Sequence, residues 1–103
     1  MSAGRSALAR ELDISGATHL LGESSEFLRM WTAKGGKATC LIDAAALAPD
    51  PAVFGIALVD AVRHGARAWA QAVGISEEAA LERIWFGFDA ERNNPTDLGE
   101  EVN

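Results

Sequence analysis

From Pro51 to Pro95 the sequence holds no other proline, and one short link, Gly74-Ile75-Ser76, divides the stretch in two. Asp50 can accept from the free N–H groups of a first helical turn, and Pro51 suits that turn because its missing N–H is not needed there. Gly74 supplies a left-handed stop, and Ser76 caps a second helix whose first turn carries Glu77 and Glu78 at the positive end of the dipole. The pattern predicts one helix from Asp50-Pro51 to about Val73 and another from Ser76 to Asn93-Asn94-Pro95, where proline requires a break.

On a wheel of 100° per residue the first helix separates into three faces. Asp60, Arg63, His64, Arg67 and Gln71 form a polar stripe expected in water. Val59, Val62, Ala66, Trp69 and Val73 make a bulky face suited to packing on a sheet. Ala57, Ala61, Gly65, Ala68 and Ala72 form a small-residue seam, which Leu81, Ile84, Trp85 and Phe88 of the second helix are expected to fill. Val53, Ile56 and Phe86 fall outside this scheme and call for cover.

Upstream, EFLRMWTA (Glu26 to Ala33) and ATCLI (Ala38 to Ile42) flank Lys34-Gly35-Gly36-Lys37. Two apolar runs around Gly-Gly predict a hairpin with a two-residue turn, both glycines taking positive φ. That turn pairs Ala33 with Ala38, Thr32 with Thr39, Trp31 with Cys40 and Met30 with Leu41. It places Phe27, Trp31, Cys40 and Ile42 on one face, and Leu28, Met30 and Leu41 on the other. Lys34 and Lys37 oppose each other beside the turn, so strand addition is expected along Glu26 to Trp31 rather than at the tip.

The expected fold class is therefore α+β, a ββαα chain with an N-terminal β-hairpin packed against a two-helix pair. At 103 residues, 49% hydrophobic and 23% charged, there is room for one domain. Residues 1–25 read as a weakly structured arm in which Ala7 to Leu12 could form a helical turn, 26–97 as the domain, and 98–103 as an acidic tail. Two strands and two helices cannot cover both hairpin faces and the stray apolar residues, which predicts completion by homodimerisation, with the arm and the C-terminal tail as competing covers.

Fifteen acidic residues against nine basic ones give a net charge of −6, so a phosphate backbone would be repelled and nucleic acid is not an expected partner. No run approaches the eighteen apolar residues of a membrane span, and charges interrupt the N-terminus, so neither membrane nor signal peptide is expected. Cys40 is the only cysteine, which excludes an intramolecular disulfide and a cysteine-rich zinc site. A reducing, cytoplasmic location follows.

Three stretches carry a likeness: Asp50-Pro51-Ala52-Val53-Phe54-Gly55, Arg63-His64-Gly65-Ala66-Arg67-Ala68, and Phe88-Asp89-Ala90-Glu91 followed by Asn93-Asn94-Pro95-Thr96-Asp97. Over roughly Glu26 to Asp97 the chain resembles a family of small bacterial proteins classed as a domain of unknown function (DUF5076). Phe54 and Arg92 stand where the resemblance leads one to expect tryptophan. The resemblance implies a fold and transfers no catalytic residue.

Gly35-Gly36-Lys37 lacks the leading glycine, the adjacent hydroxyl and the following helix of a phosphate loop. Asp60 and His64, one helical turn apart, have the spacing for a carboxylate to orient an imidazole, and Arg63 and Arg67 beside them favour an anion over a metal cation. Asp60, Arg63, His64 and Arg67 are thus the candidate ligand-binding residues; the ordinary alternative is a solvated helix face. Asp89, Glu91, Asn93, Asn94, Thr96 and Asp97 lack the spacing of a calcium loop, and Asn93, Asn94, Thr96 and Asp97 read as turn formers after the helix. No catalytic residue, metal site or cofactor is expected. The reading is a non-enzymatic dimeric interaction or regulatory module, the alternative being a binder of, or enzyme acting on, a small anion at the Asp60/Arg63/His64/Arg67 face.

Overall fold

The computed structural model describes residues 9–95, and the acidic tail lies outside them. In chain order it contains a short helix α1 (Thr18–Leu21), strands β1 (Leu28–Thr32) and β2 (Ala38–Ile42), a 3-10 turn (Ala44–Ala46), and two long helices, α2 (Ala52–Val73) and α3 (Glu77–Asn93). This is the expected α+β, ββαα order. Of the arm segment expected to form a helical turn, residues 9–12 are not helical and Ala7 and Leu8 lie outside the described residues. The arm is helical at α1 instead.

The caps sit where side-chain chemistry puts them. Asp50 Oδ1 accepts from the Ala52 N–H at 3.0 Å, and Ser76 Oγ accepts from the Ala79 N–H at 3.0 Å. Gly74 ends α2 at φ 74° with its N–H on the Ala70 carbonyl, a backbone conformation a β-carbon would penalise.

The hairpin register differs from the expectation by one residue. Leu28 pairs with Ile42, Arg29 with Leu41, Met30 with Cys40, Trp31 with Thr39, and Thr32 with Ala38. The cause is the turn. The Gly36 N–H bonds the Ala33 carbonyl at 3.0 Å and the Ala33 N–H bonds the Lys37 carbonyl at 2.9 Å, so Lys34, Gly35 and Gly36 make a three-residue loop. Gly35 (φ 93°) serves as the positive-φ corner of the turn, and Gly36 (φ 84°) is the extra residue of a glycine bulge. Cross-strand partners share a face, so Leu28, Met30, Cys40 and Ile42 lie together, with Arg29, Trp31, Thr39 and Leu41 opposite. The expected grouping of Trp31 with Cys40 and Ile42 is thereby corrected.

The helices meet along a line rotated by about one residue from the predicted seam. Ala66 (1% exposed) and Ala80 (3%) are the buried hydrophobic residues, flanked by half-buried Val62, Ala70, Leu81, Ile84 and Trp85. Small side chains on both helices let the bulky neighbours interdigitate around them. Gly65 does touch α3, but an added Cβ would meet the Ile84 Cδ1 at 3.9 Å rather than Trp85 or Phe88, while Ala61, Ala68 and Ala72 are exposed. Trp85 stands edge-on to Phe88, ring centroids 5.5 Å apart.

The sheet does not cover the bulky face of α2. Trp69 and Val73 are 59% and 58% exposed, because the hairpin reaches α2 at its N-terminal end, where the Phe27 ring stands edge-on to Phe54 at 6.3 Å. Each hairpin, of strands or of helices, packs chiefly on itself.

Candidate functional site

α2 presents Asp60, Arg63, His64 and Arg67 on its exposed side, as the wheel requires, but the four do not form one constellation. Among the described residues the side chains of Asp60 and His64 make no hydrogen bond or ion pair with each other or with any other group. Arg63 and Arg67 face α3. The Arg67 Nε–H donates to Glu77 Oε2 at 3.0 Å, and both arginines, with Ala66, Glu77, Glu78 and Leu81, line a shallow hollow of about 240 Å³.

Glu77 and Glu78 were legible in sequence only as dipole partners of α3. Their second role follows from the short link, because the reversal at Gly74 brings the first turn of α3 back alongside α2. Two guanidinium groups and two carboxylates then share the hollow, and Arg67 is already held by Glu77. An anion entering it would meet Arg63 as the cation with no acidic partner among the described residues.

The polar C-terminal cluster behaves as a helix end. α3 continues to Asn93, the Asn94 N–H bonds the Ala90 carbonyl at 3.0 Å, and Asp89 lies 4.0 Å from Arg92; Thr96 and Asp97 lie outside the described residues. Among the described residues, no three His, Cys, Asp or Glu side chains gather as metal ligands would. No described helix is long and apolar enough to cross a membrane.

A second hollow, about 330 Å³, lies at the open end of the hairpin between Glu26, Leu28, Arg29, Leu41 and Asp43. Arg29 dominates it. Its Nε–H donates to Glu26 Oε2 at 2.7 Å and its Nη1 to Glu11 Oε2 at 3.0 Å, which ties the arm to β1. The bond from Arg29 holds the Glu26 carboxyl below the usual glutamate range, and Glu26 in turn raises Arg29. Asp43 Oδ1 accepts from the Ala45 N–H at 3.1 Å.

A hairpin of strands followed by a hairpin of helices, with small alanines at the helix contact, defines a small α+β domain. The chain belongs to the family described as Domain of unknown function (DUF5076), whose sequence model matches residues 11–96. It is also similar to a solved structure described as that of "a putative pyruvate dehydrogenase from the photosynthetic bacterium Rhodopseudomonas palustrus", with 31% identity, a TM-score of 0.63, and coverage of 92% of this chain and 93% of that one. No curated protein matches the chain.

Proposed function

We propose that this protein is a non-enzymatic interaction or regulatory module of the cytoplasm that works as a homodimer. The observation that carries the reading is surface. The chain exposes 9040 Å², whereas a folded monomer of 10.9 kDa exposes about 5,600 Å². That excess is to be set against the roughly 800 Å² that each partner buries in a stable interface. Much of it is apolar: Ile56, Trp69, Phe86 and Met30 are each about three-fifths exposed. Sedimentation at micromolar concentration should give a dimer, and a monomer at every concentration would overturn the dimeric part.

A second reading rests on Arg63. Its open guanidinium beside the 240 Å³ hollow suits a small carboxylate or phosphate, and pyruvate, the acid named for the similar solved structure, belongs in the trial. A ligand present at a hundredfold over its dissociation constant would stabilise the fold by about 2.7 kcal/mol. A thermal-shift screen of phosphates and 2-oxo acids in which nothing raises the melting temperature would discard this reading.

A further inference from the structure

The two hydrogen bonds that frame the hairpin also fix what its outer edge offers. Ala33 N–H to Lys37 and Asp43 N–H to Phe27 (2.9 Å each) place the backbone groups of Lys37, Thr39, Leu41 and Asp43 toward β1. Those of Ala38, Cys40 and Ile42 therefore point the other way, because alternate residues of an antiparallel strand bond to opposite sides. Among the described residues nothing bonds to this edge, and no other element packs on β2. β2 is ATCLI: no charge, no proline and no internal bulge, so it lacks the usual guards of an edge strand.

β1, where strand addition is the sequence expectation, is better defended. It carries a charge within the strand, Arg29, with ion pairs to Glu26 and Glu11. β2 instead has its charges at its two ends, Lys37 just before it and Asp43 just after, each three residues from Cys40.

We infer that a second copy of this chain adds to the open edge of β2, so that the two β2 strands pair antiparallel about a twofold axis at Cys40. This rests on the homodimer reading and names its surface. In this register Cys40 faces the partner's Cys40, Ala38 faces Ile42, and Lys37 faces Asp43. The registers two residues to either side would set Lys37 against Leu41, or Asp43 against Thr39, and lose both ion pairs. The outward groups of Ala38, Cys40 and Ile42 form the ladder, and each Lys37–Asp43 pair falls at a non-hydrogen-bonded position, where opposed side chains approach most closely. Asp43 is extended (φ −107°, ψ 91°) and so continues the strand. The product is a four-stranded sheet, β1-β2-β2-β1, with Leu28, Met30, Cys40 and Ile42 of both copies on one face. That also answers the marginal stability of an isolated two-stranded ribbon.

The test uses the full chain. Facing residues at a hydrogen-bonded pair have Cα atoms about 5.5 Å apart, within the span a disulfide bridges. Mild oxidation of the dimer with added diamide, which takes the two thiol hydrogens, should yield a covalent dimer on a non-reducing gel, and Cys40→Ser should yield none while still sedimenting as a dimer. Ala38→Pro removes an outward N–H while sparing the bonds to β1, and should weaken dimerisation about tenfold or more. A dimer that sediments normally but forms no Cys40 disulfide, and that tolerates Ala38→Pro, overturns this interface while leaving the homodimer intact. A wild-type chain that stays monomeric overturns both.

Discussion

The molecule contains two hairpins, one of helices and one of strands, and they are stabilised at different levels. The helix pair carries its own punctuation: Asp50, Gly74 and Ser76 each satisfy a named backbone group, and Ala66 and Ala80 close a contact between α2 and α3. The strand pair has a defined ladder but no buried side chain, and Met30, Leu41 and Ile42 are exposed. The helix pair is thus specified by its own residues. The strand pair is specified in register by its turn, and awaits apolar cover from outside.

The largest expected effect lies on the helix side. Ala66 is nearly inaccessible, so Ala66→Leu should overpack the contact and cost about 1–3 kcal/mol or more. Ala72→Leu, on the exposed side of the same helix, should stay within about 0.5 kcal/mol. Urea melts of the two variants decide it. Equal losses would mean that the helix pair is not self-sufficient and that the contrast between the hairpins fails.

Next in size is the turn. Gly36 holds φ 84°, where a β-carbon costs roughly 1–2 kcal/mol. Gly36→Ala should lose about that much in the same melts, although no atom lies within 4 Å of the added methyl. A neutral result would show that the bulge does not set the register.

These two sites also mark where sequence was readable. The helix ends follow from local chemistry, and α2 and α3 begin and stop within a residue or two of Asp50, Gly74, Ser76 and Asn94. The hairpin was visible, but its register depended on whether Gly35 and Gly36 fill a two-residue turn or a turn plus a bulge, and both geometries want two positive φ values. One residue of slip exchanges the faces. The helix contact was misplaced for a related reason: Gly65 and Ala66 are both small and differ by 100° on the wheel, so residue size could not choose between them. Of the candidate site, the exposure of Asp60, Arg63, His64 and Arg67 was legible, whereas the tie from Arg67 to Glu77 depends on how the helices fold back.

A smaller effect, of opposite sign, sharpens the helix side. Glycine in a helix interior costs about 0.5–1 kcal/mol relative to alanine. The Cβ of Gly65→Ala would meet only the Ile84 Cδ1, at the ordinary contact distance of 3.9 Å. The substitution should therefore stabilise the protein by roughly that propensity difference. A loss on thermal melting would place α3 closer to α2 than this contact allows.

The smallest effect belongs to the strand side and is read through pH. Arg29 donates to Glu26 across an exposed surface, and that bond holds the Glu26 carboxyl below its ordinary range. A carboxyl depressed in the folded state stabilises the fold above its unfolded pKa, and the contribution disappears as the pH falls through the folded value. Glu26→Gln should then melt slightly below the wild type at pH 7, with the gap closing in acid and narrowing in high salt, because exposed pairs are weak and screened. If the gap between wild type and Glu26→Gln persisted unchanged in acid, the contact would act through packing rather than charge. The strand pair would then hold more of its own stability than its exposed faces suggest.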